Sequence, residues 1–217
     1  MSSGATTASV GDSYDRDAQR YVDHVGGEMQ HPSLDRAALR LFAELVGSNA
    51  SALDVGCGPG HVTAFLAAHG LSISGIDCSP ALIELARESF PEIDFDVGHL
   101  ADLSARSGSL DAVVSRHSII HTEPQRLDEV FSEFSRVLTP GGRLFLSFFA
   151  VPDGGQHGEP FDHAICTAYQ LDPSTLSEML SSHGLDEEMR LTRQPLEEER
   201  TIPHTTLIAR RIGPDSA

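Results

Sequence analysis

The sequence predicts an α/β protein built on a doubly wound, mostly parallel sheet. Short apolar segments alternate with segments whose apolar residues recur at helical spacing through most of the 217 residues. Such alternation indicates repeated units of a strand, a crossover helix and a second parallel strand. The last two predicted strands, residues 188–192 and 205–210, have no helix between them. We therefore expect one strand near the C-terminus to run antiparallel to the others.

The predicted elements follow in chain order. Residues 32–47 form a clear amphipathic helix with Ser33 as its cap, and residues 14–25 form a weaker, more polar helix. Thr122 and Gln125 have the spacing of a capping box that opens a later helix. Further helices are predicted before residue 68, after residue 79 and after residue 172. The remaining predicted strands are residues 51–55, 71–76, 93–97, 110–115 and 143–151.

The chain length is that of one domain with one core. We expect this domain to cover residues 13–212, between a disordered lead at residues 1–12 and a disordered tail at residues 213–217. Residues 13–47 are expected to form an N-terminal helical cap. Residues 152–171 are polar and rich in glycine, histidine and aromatic residues. They are expected to form a loop over the substrate, because loops of this length in compact domains are often lids or binding segments.

Composition limits the partners. The chain has 15 Lys and Arg residues against 32 Asp and Glu residues, a formal charge of −17, so neither nucleic acid nor an anionic membrane surface is an expected partner. No apolar run reaches the roughly 20 residues that span a bilayer, and the N-terminus lacks the regions of a secretory signal. Cys57, Cys78 and Cys166 lack the paired spacing of a zinc site or a disulfide framework. We expect a cytoplasmic protein, either a monomer or a homodimer.

A glycine-rich turn follows the first predicted strand. Gly56, Gly58 and Gly60 lie between this strand and a helix, as in turns where a ligand lies directly on the backbone. The amides of the turn and of the helix N-terminus are expected to point into the crevice at the carboxyl ends of the strands. Asp77, about 20 residues further on, ends the second strand. Its carboxylate is placed to accept hydrogen bonds from both hydroxyls of a ribose.

A dinucleotide site is the alternative for this turn. The dehydrogenase fingerprint, Gly-x-Gly-x-x-Gly, would require a third glycine at position 61. That position is His61, and the glycine comes one residue earlier. Asp54, just before the turn, would repel a pyrophosphate but suits an ammonium group. The turn therefore favours a ligand with a nucleoside and a zwitterion over a dinucleotide.

These features together resemble the class I S-adenosylmethionine-dependent methyltransferases. The resemblance rests on residues 54–60 (DVGCGPG), on Asp77 and on the fourth strand leading into residues 115–118, and it covers about residues 14–211. Residues 32–36, 118–121 and 136–142 and the pair Ala168 and Tyr169 are similar to small, uncharacterised methyltransferases of actinobacterial type. The family implies a Rossmann-like sheet with strand order 3-2-1-4-5-7-6 and S-adenosyl-L-methionine as the cofactor.

The resemblance also implies roles for single residues. The turn, including Cys57 and Pro59, would hold the methionine part of the cofactor, with Asp54 near its amino group. Asp77 would bind the ribose. The other implied cofactor contacts are Cys78, His99 and Leu100 around the adenine, Ser115 and Arg116 on the methionine side, and Tyr14 and Tyr21 in a helix that closes over the site. Two departures bear on specificity: many relatives have an acidic residue near position 99, and close relatives often have Trp-Tyr at positions 116 and 117.

Several histidines are candidates for the chemistry. His117 and His121 follow the fourth strand, where the transferred methyl group should point, and a neutral imidazole can accept a proton from an attacking nucleophile. His163 and Tyr169 in the long loop and His204 before the last strand are candidates for substrate binding. Ordinary packing is the alternative for each of them. No third ligand accompanies the two histidines after the fourth strand, so no metal site is expected.

The implied reaction is an in-line displacement at a sulfonium methyl group, in which the protein aligns the reacting atoms and excludes water. The sequence lacks the motifs of adenine-modifying and cytosine-modifying enzymes and the metal-binding carboxylates of catechol-type enzymes. By elimination, and because of the acidic surface, we expect a small-molecule acceptor. A nicotinamide-dependent oxidoreductase and a protein that binds the cofactor without catalysis are the two alternatives.

Overall fold

A central sheet organises the part of the chain that the structure, a computed structural model, describes: residues 7–25, 33–152, 154–163, 165–196 and 199–213. The strands are β1 (Ser51–Val55), β2 (Ser72–Asp77), β3 (Phe95–Val97), β4 (Leu110–Arg116), β5 (Leu138–Phe149), β6 (Glu159–Asp162), β7 (Thr167–Gln170), β8 (Leu185–Arg193) and β9 (His204–Arg211). All except β6 and β7 belong to one seven-stranded sheet.

The strand order of this sheet is β3-β2-β1-β4-β5-β9-β8. With β6 and β7 left out of the numbering, this is the predicted order 3-2-1-4-5-7-6. β9 runs antiparallel to both of its neighbours, and the other pairs in the sheet are parallel. The predicted fold class, with one antiparallel strand near the C-terminus, is therefore confirmed. Asp54 of β1 pairs with Gly75 of β2 and Val114 of β4, so the carboxyl ends of these strands meet at one edge.

Helices cover both faces of the sheet. They are α1 (Thr7–Val25), α2 (Leu34–Val46), α3 (His61–Ala68), α4 (Pro80–Ser89), α5 (Leu127–Val137) and α6 (Pro173–Ser182). Side chains alternate along a strand, so Val113 of β4 packs in a core with α5 and α6, whereas Ala112 and Val114 pack in a second core with α2 and α3. The last six residues of β5 are buried, as expected for a central strand covered on both faces.

The N-terminal helix begins earlier than predicted. α1 starts at Thr7, so residues 7–12, which we expected to belong to a disordered lead, are helical. Tyr14 and Ala18 of α1 pack against Leu82 of α4, and this tertiary burial outweighs the weak helix propensity of a polar segment that contains Gly11. Residues 1–6 of the expected lead and residues 214–217 of the expected tail lie outside the described residues.

The expected loop at residues 152–171 contains a β-hairpin. β6 and β7 pair antiparallel, from Glu159 with Gln170 to Asp162 with Thr167. The hairpin is attached to the main sheet, because the amide of Leu171 donates to the carbonyl of Phe149 at 2.9 Å. These strands are hard to predict, since each has four residues and β6 contains a proline and an aspartate, both disfavoured in strands.

The predicted capping box is wrong. α5 begins at Leu127, behind a 3₁₀ turn at Pro124–Arg126, and Thr122 does not cap it. Pro124 explains the difference, because a proline disfavours helical conformation in the residue before it. Glu123 accordingly has φ of −54° and ψ of 133°.

Candidate functional site

A cleft opens where the carboxyl ends of β1, β2 and β4 meet, and α1 forms part of its wall. Its empty volume, which includes the open solvent at its mouth, is about 910 Å³. Ten residues singled out in the sequence line it: Tyr14, Tyr21, Gly56, Gly58, Asp77, Cys78, Leu100, Arg116, His117 and His121.

Positive φ angles shape the turn after β1. Gly56, Gly58 and Gly60 have φ of 77°, 54° and 83°, a region that favours glycine. A Cβ added at Gly56 would lie 2.2 Å from the Cβ of Ser118, so the turn can approach the segment after β4 only without a side chain. The amides of Gly56 and Cys57 both donate to the carbonyl of Ile76, at 2.8 and 2.9 Å. The expectation that these two amides point into the crevice is therefore wrong, because they extend the pairing of β1 with β2.

Asp77 joins the glycine turn to the start of α4. One carboxylate oxygen accepts the N–H of Gly58 and the other accepts the N–H of Ser79, each at 2.9 Å. Asp77 is only 8% exposed, yet it lines the cleft. Burial raises the pKa of its carboxyl above the ordinary value, while the two N–H groups act in the opposite direction. Carboxylate oxygens have about two acceptor sites each, so both can still accept a hydroxyl from a ligand.

Asp54 is the second acidic residue beside the turn, and it is 1% exposed. The hydroxyl of Thr63 donates to its carboxylate at 2.7 Å. Burial raises the pKa of Asp54 to about 7, against the lowering effect of the Thr63 hydrogen bond. Asp54 is not among the described residues that line the cleft, so its contact with a ligand stays a prediction.

α1 is docked on the N-terminus of α4. The carboxylate of Asp15 accepts the hydroxyl of Ser79 at 2.5 Å and the amide of Ala81 at 3.1 Å. α1 thereby supplies a capping group to another helix. This docking places Tyr14 and Tyr21 in the cleft wall, with their rings edge to face and their centroids 5.1 Å apart.

His117 lies just beyond β4 with φ of 52°, a strained conformation for a residue other than glycine. Its ring centroid is 4.8 Å from that of Phe149 and 5.2 Å from that of His204. Among the described residues, its buried Nδ1 has no hydrogen-bond partner. Burial, followed by the charge of Arg116, holds the pKa of His117 well below 6.5. The ring is therefore neutral at neutral pH.

His121 is held through both ring nitrogens. Its Nδ1 lies 2.9 Å from the carbonyl oxygen of Thr167 and its Nε2 lies 2.9 Å from the hydroxyl of Tyr14. A carbonyl can only accept, so Nδ1 carries the proton and Nε2 accepts the hydrogen bond from Tyr14. The Sγ of Cys166 lies 3.2 Å from Nδ1. Burial lowers the pKa of His121, against the raising effect of Thr167.

The four histidines chosen from the sequence lie together beside the cleft. The ring of His163 is 5.2 Å from that of His121 and 5.6 Å from that of Phe149. The ring of His204 contacts Phe149 at 4.8 Å as well as His117. His163 contacts His121 and His204 contacts His117, but neither His163 nor His204 is among the described residues that line the cleft.

Comparison with known proteins finds similarity to methyltransferases. Residues 52–142 match a family model described as a methyltransferase domain. A ubiquinone biosynthesis O-methyltransferase of Xanthomonas oryzae pv. oryzae is 34% identical over 136 residues, which cover 60% of this chain and 56% of that protein. The chain spans little more than half the length of the curated methyltransferases that it matches.

Solved structures share the fold of this chain. The [4+2]-cyclase SpnF superposes with a TM-score of 0.77 at 19% identity, over 96% of this chain and 97% of that one. The 1,6-didemethyltoxoflavin-N1-methyltransferase of Burkholderia thailandensis, solved with 1,6-didemethyltoxoflavin and S-adenosylhomocysteine, gives a TM-score of 0.69 at 20% identity, over 98% and 93%. At such identities the likeness concerns the fold.

Some residues predicted for the site do not line the cleft. Within the described residues these are Asp54, Cys57, Pro59, Gly60, His99, Ser115, His163, Tyr169 and His204. Gly60 has a packing role, because a Cβ there would lie 2.7 Å from the ring of Phe95. Tyr169 is half-buried in β7, opposite Pro160 of β6.

Sequence reasoning missed other residues that line the cleft: Val10, Leu82, Gly98, Ala101, Ser118, Thr122, Glu123, Arg126 and Val130. Gly98 and Ser118 follow β3 and β4, so their position at strand ends was a usable signal. Val10 and Val130 lie in helices, and no local sequence pattern predicts where these helices pack.

Neither a metal site nor a membrane-spanning helix is found among the described residues. No three His, Cys, Asp or Glu side chains there are arranged to hold a metal ion. None of the helices in these ranges has the length and apolar character required to cross a membrane.

Proposed function

We propose that this protein transfers the methyl group of S-adenosylmethionine to a small-molecule acceptor. The carboxylate of Asp77 carries the proposal, because it faces the cleft while both of its oxygens hold backbone amides beside the glycine turn. The neighbouring residues of the cleft fit S-adenosylmethionine. Gly56 and Gly58 leave backbone open at the cleft, and Leu82 and Leu100 add apolar surface for a flat base.

When bound, S-adenosylmethionine supplies a methyl group on a positively charged sulfur. Asp77 would accept hydrogen bonds from the ribose hydroxyls, and Cys78 and Leu100 would flank the adenine. Arg116, the last residue of β4, lines the cleft on the side proposed for the methionine part. Tyr14 and Tyr21 would shield the reacting atoms from water, which strengthens the electrostatic interactions there.

A small molecule is the acceptor class that we propose. The formal charge of −17 disfavours nucleic acid, and the curated relatives are named as enzymes that methylate an oxygen in ubiquinone biosynthesis. The cyclase of the same fold shows that the fold is compatible with another reaction. Methyl transfer therefore has to be tested separately from binding.

Calorimetric titration of the purified protein with S-adenosylhomocysteine and, in parallel, with NAD tests the cofactor. We expect binding of S-adenosylhomocysteine and none of NAD; binding of NAD alone would overturn the proposal in favour of an oxidoreductase. Turnover is tested by incubating the protein with methyl-labelled S-adenosylmethionine and a panel of small molecules, with release of S-adenosylhomocysteine as the readout. Binding without turnover on any member would favour a non-catalytic role.

A further inference from the structure

We propose that Tyr14 and His121 form a proton relay that deprotonates a hydroxyl acceptor as it is methylated. The inference rests on the proposed function and adds the class of acceptor and the route of its proton. Both residues line the cleft, and the hydroxyl of Tyr14 donates to Nε2 of His121 at 2.9 Å.

The relay has the three members that an activated nucleophile requires: a group in contact with the reactant, a base, and a third group that orients the base. Tyr14 presents its hydroxyl, His121 is the base, and the carbonyl of Thr167 accepts the Nδ1 proton of His121 at 2.9 Å. The carbonyl fixes the tautomer, so the lone pair of Nε2 points at the Tyr14 hydroxyl. Thr167 begins β7, so the hairpin holds the base in position.

His117, the other predicted base, lacks this arrangement. Within the described residues its buried Nδ1 has no hydrogen-bond partner, so this nitrogen is not held as Nδ1 of His121 is. Its ring packs against those of Phe149 and His204. The charge of Arg116 also opposes protonation of His117, whereas the carbonyl of Thr167 favours protonation of His121.

The step balances in atoms and charge. As the acceptor oxygen bonds to the methyl carbon, the methyl–sulfur bond breaks and its electron pair remains on sulfur. The acceptor proton passes to Oη of Tyr14 while the Tyr14 proton passes to Nε2 of His121. One positive charge is present before the step, on sulfur, and one after it, on His121. The buried site therefore never gains a net charge, which limits the cost of charging a buried imidazole.

The relay defines the acceptor as a hydroxyl that is still protonated at the pH of the reaction. An acceptor that is already ionised has no proton to lose and needs neither residue. Burial raises the pKa of Tyr14 well above 10, so its phenol stays protonated until its proton moves to His121. The other titratable groups that face the pair are Tyr21, Asp77 and Cys78 around Tyr14, and His163 and Cys166 around His121.

The experiment compares two acceptors in the same variants. The wild-type protein is assayed on a panel of hydroxylated compounds that includes 4-methoxyphenol, which stays protonated at neutral pH, and 4-nitrophenol, which ionises near it. In Tyr14→Phe and in His121→Gln we expect kcat on the protonated phenol to fall about 100-fold, the lower range for a lost general base, and kcat on the ionised phenol to change less than about threefold. His69→Gln is the control, because its ring bonds a backbone carbonyl at an exposed position outside the cleft.

Two readouts separate this inference from the proposed function. Affinity for S-adenosylhomocysteine should stay within about threefold of the wild type in His121→Gln and in the control His69→Gln. Nitrogen NMR of the His121 ring should show a protonated Nδ1 and a bare Nε2 whose resonance moves in Tyr14→Phe. A variant that slows both phenols equally, or a wild type that binds S-adenosylhomocysteine but methylates no compound of the panel, would overturn the relay and leave the cofactor site standing. Failure to bind S-adenosylhomocysteine would overturn both.

Discussion

The carboxylate of Asp77 accepts the amide of Gly58 in a hydrogen bond of 2.9 Å. The side chain proposed to hold the ribose thus also braces the turn proposed to hold the methionine part of the cofactor. Its other oxygen accepts the amide of Ser79 at the start of α4. Stability of the site and affinity for the cofactor therefore depend on the same carboxylate.

Asp77→Asn is expected to reduce both properties. The amide nitrogen of asparagine cannot accept, so the N–H of Gly58 or of Ser79 loses its partner. We expect the free energy of unfolding to fall by about 1–3 kcal/mol, the cost of an unsatisfied buried donor, and the affinity for S-adenosylhomocysteine to fall at least about tenfold. Urea unfolding and calorimetric titration measure the two effects.

Asp111→Ala is the control, because one carboxylate oxygen of Asp111 accepts both of its hydrogen bonds and an asparagine could keep them. Asp111 accepts the amide and the hydroxyl of Ser51, both at 2.9 Å, at the start of β1 and away from the cleft. This variant should lose stability and keep its affinity for S-adenosylhomocysteine. If Asp77→Asn binds as tightly as the wild type, Asp77 does not hold the ribose.

Gly56→Ala tests the close approach of the turn to the segment after β4. The new Cβ would lie 2.2 Å from the Cβ of Ser118, in addition to the strain of a φ of 77°. Gly184 has a similar φ of 72°, and nothing lies within 4 Å of a Cβ added there. Gly184→Ala therefore measures the backbone strain without a steric clash. We expect about 1–2 kcal/mol of destabilisation in Gly184→Ala and at least about 2 kcal/mol more in Gly56→Ala, with loss of S-adenosylhomocysteine binding only in the latter. Equal unfolding curves for the two variants would contradict the close contact.

The sequence carried enough local information to predict the sheet and the turn. A strand, a glycine run and a helix follow each other within residues 51–68, and the polar residues at strand ends identified Asp77, His117 and His121 before any contact was known. These signals are local because each residue lies at the end of a strand or just after it. Since the carboxyl ends of parallel strands meet at the same edge of a sheet, such residues come together in the fold.

The contacts that were missed join distant parts of the chain. Tyr14 and His121 are 107 positions apart, and no spacing rule connects a helix residue to a histidine beyond a strand. The early start of α1 has the same cause, since α1 is stabilised where it packs on α4 rather than by its own propensity. The hairpin of β6 and β7 likewise depends on its attachment to β5.

Arg193→Met is expected to destabilise the protein by about 3 kcal/mol, as for the loss of one partner of a buried ion pair. The guanidinium of Arg193 donates two hydrogen bonds to Asp35, both at 2.8 Å, and two to Glu199, at 2.6 and 2.9 Å. Burial alone would raise the pKa of Asp35, but the hydrogen bonds from Arg193 hold it below its ordinary value. Urea unfolding measures the loss. In the control Arg40→Met, the pair with Glu44 is 68% and 64% exposed, so we expect a change below about 0.5 kcal/mol. Equal losses in the two variants would contradict the role of burial.

Asp54 should make the protein less stable as pH rises from about 4 to about 7. Burial raises its pKa from 3.8 to about 7 in the folded chain. In this window the folded protein holds a proton that the unfolded chain has released, so stability falls with rising pH and levels off above about 7. The full difference of about three pKa units corresponds to at most about 4 kcal/mol.

Asp54→Asn can still accept the Thr63 hydroxyl but cannot titrate, so its stability should lack this decline. Unfolding by urea at a series of pH values, with Asp94→Asn at an exposed position as the control for net charge, measures the difference. Parallel curves for the wild type and Asp54→Asn would mean that Asp54 is ionised in the folded protein throughout this range.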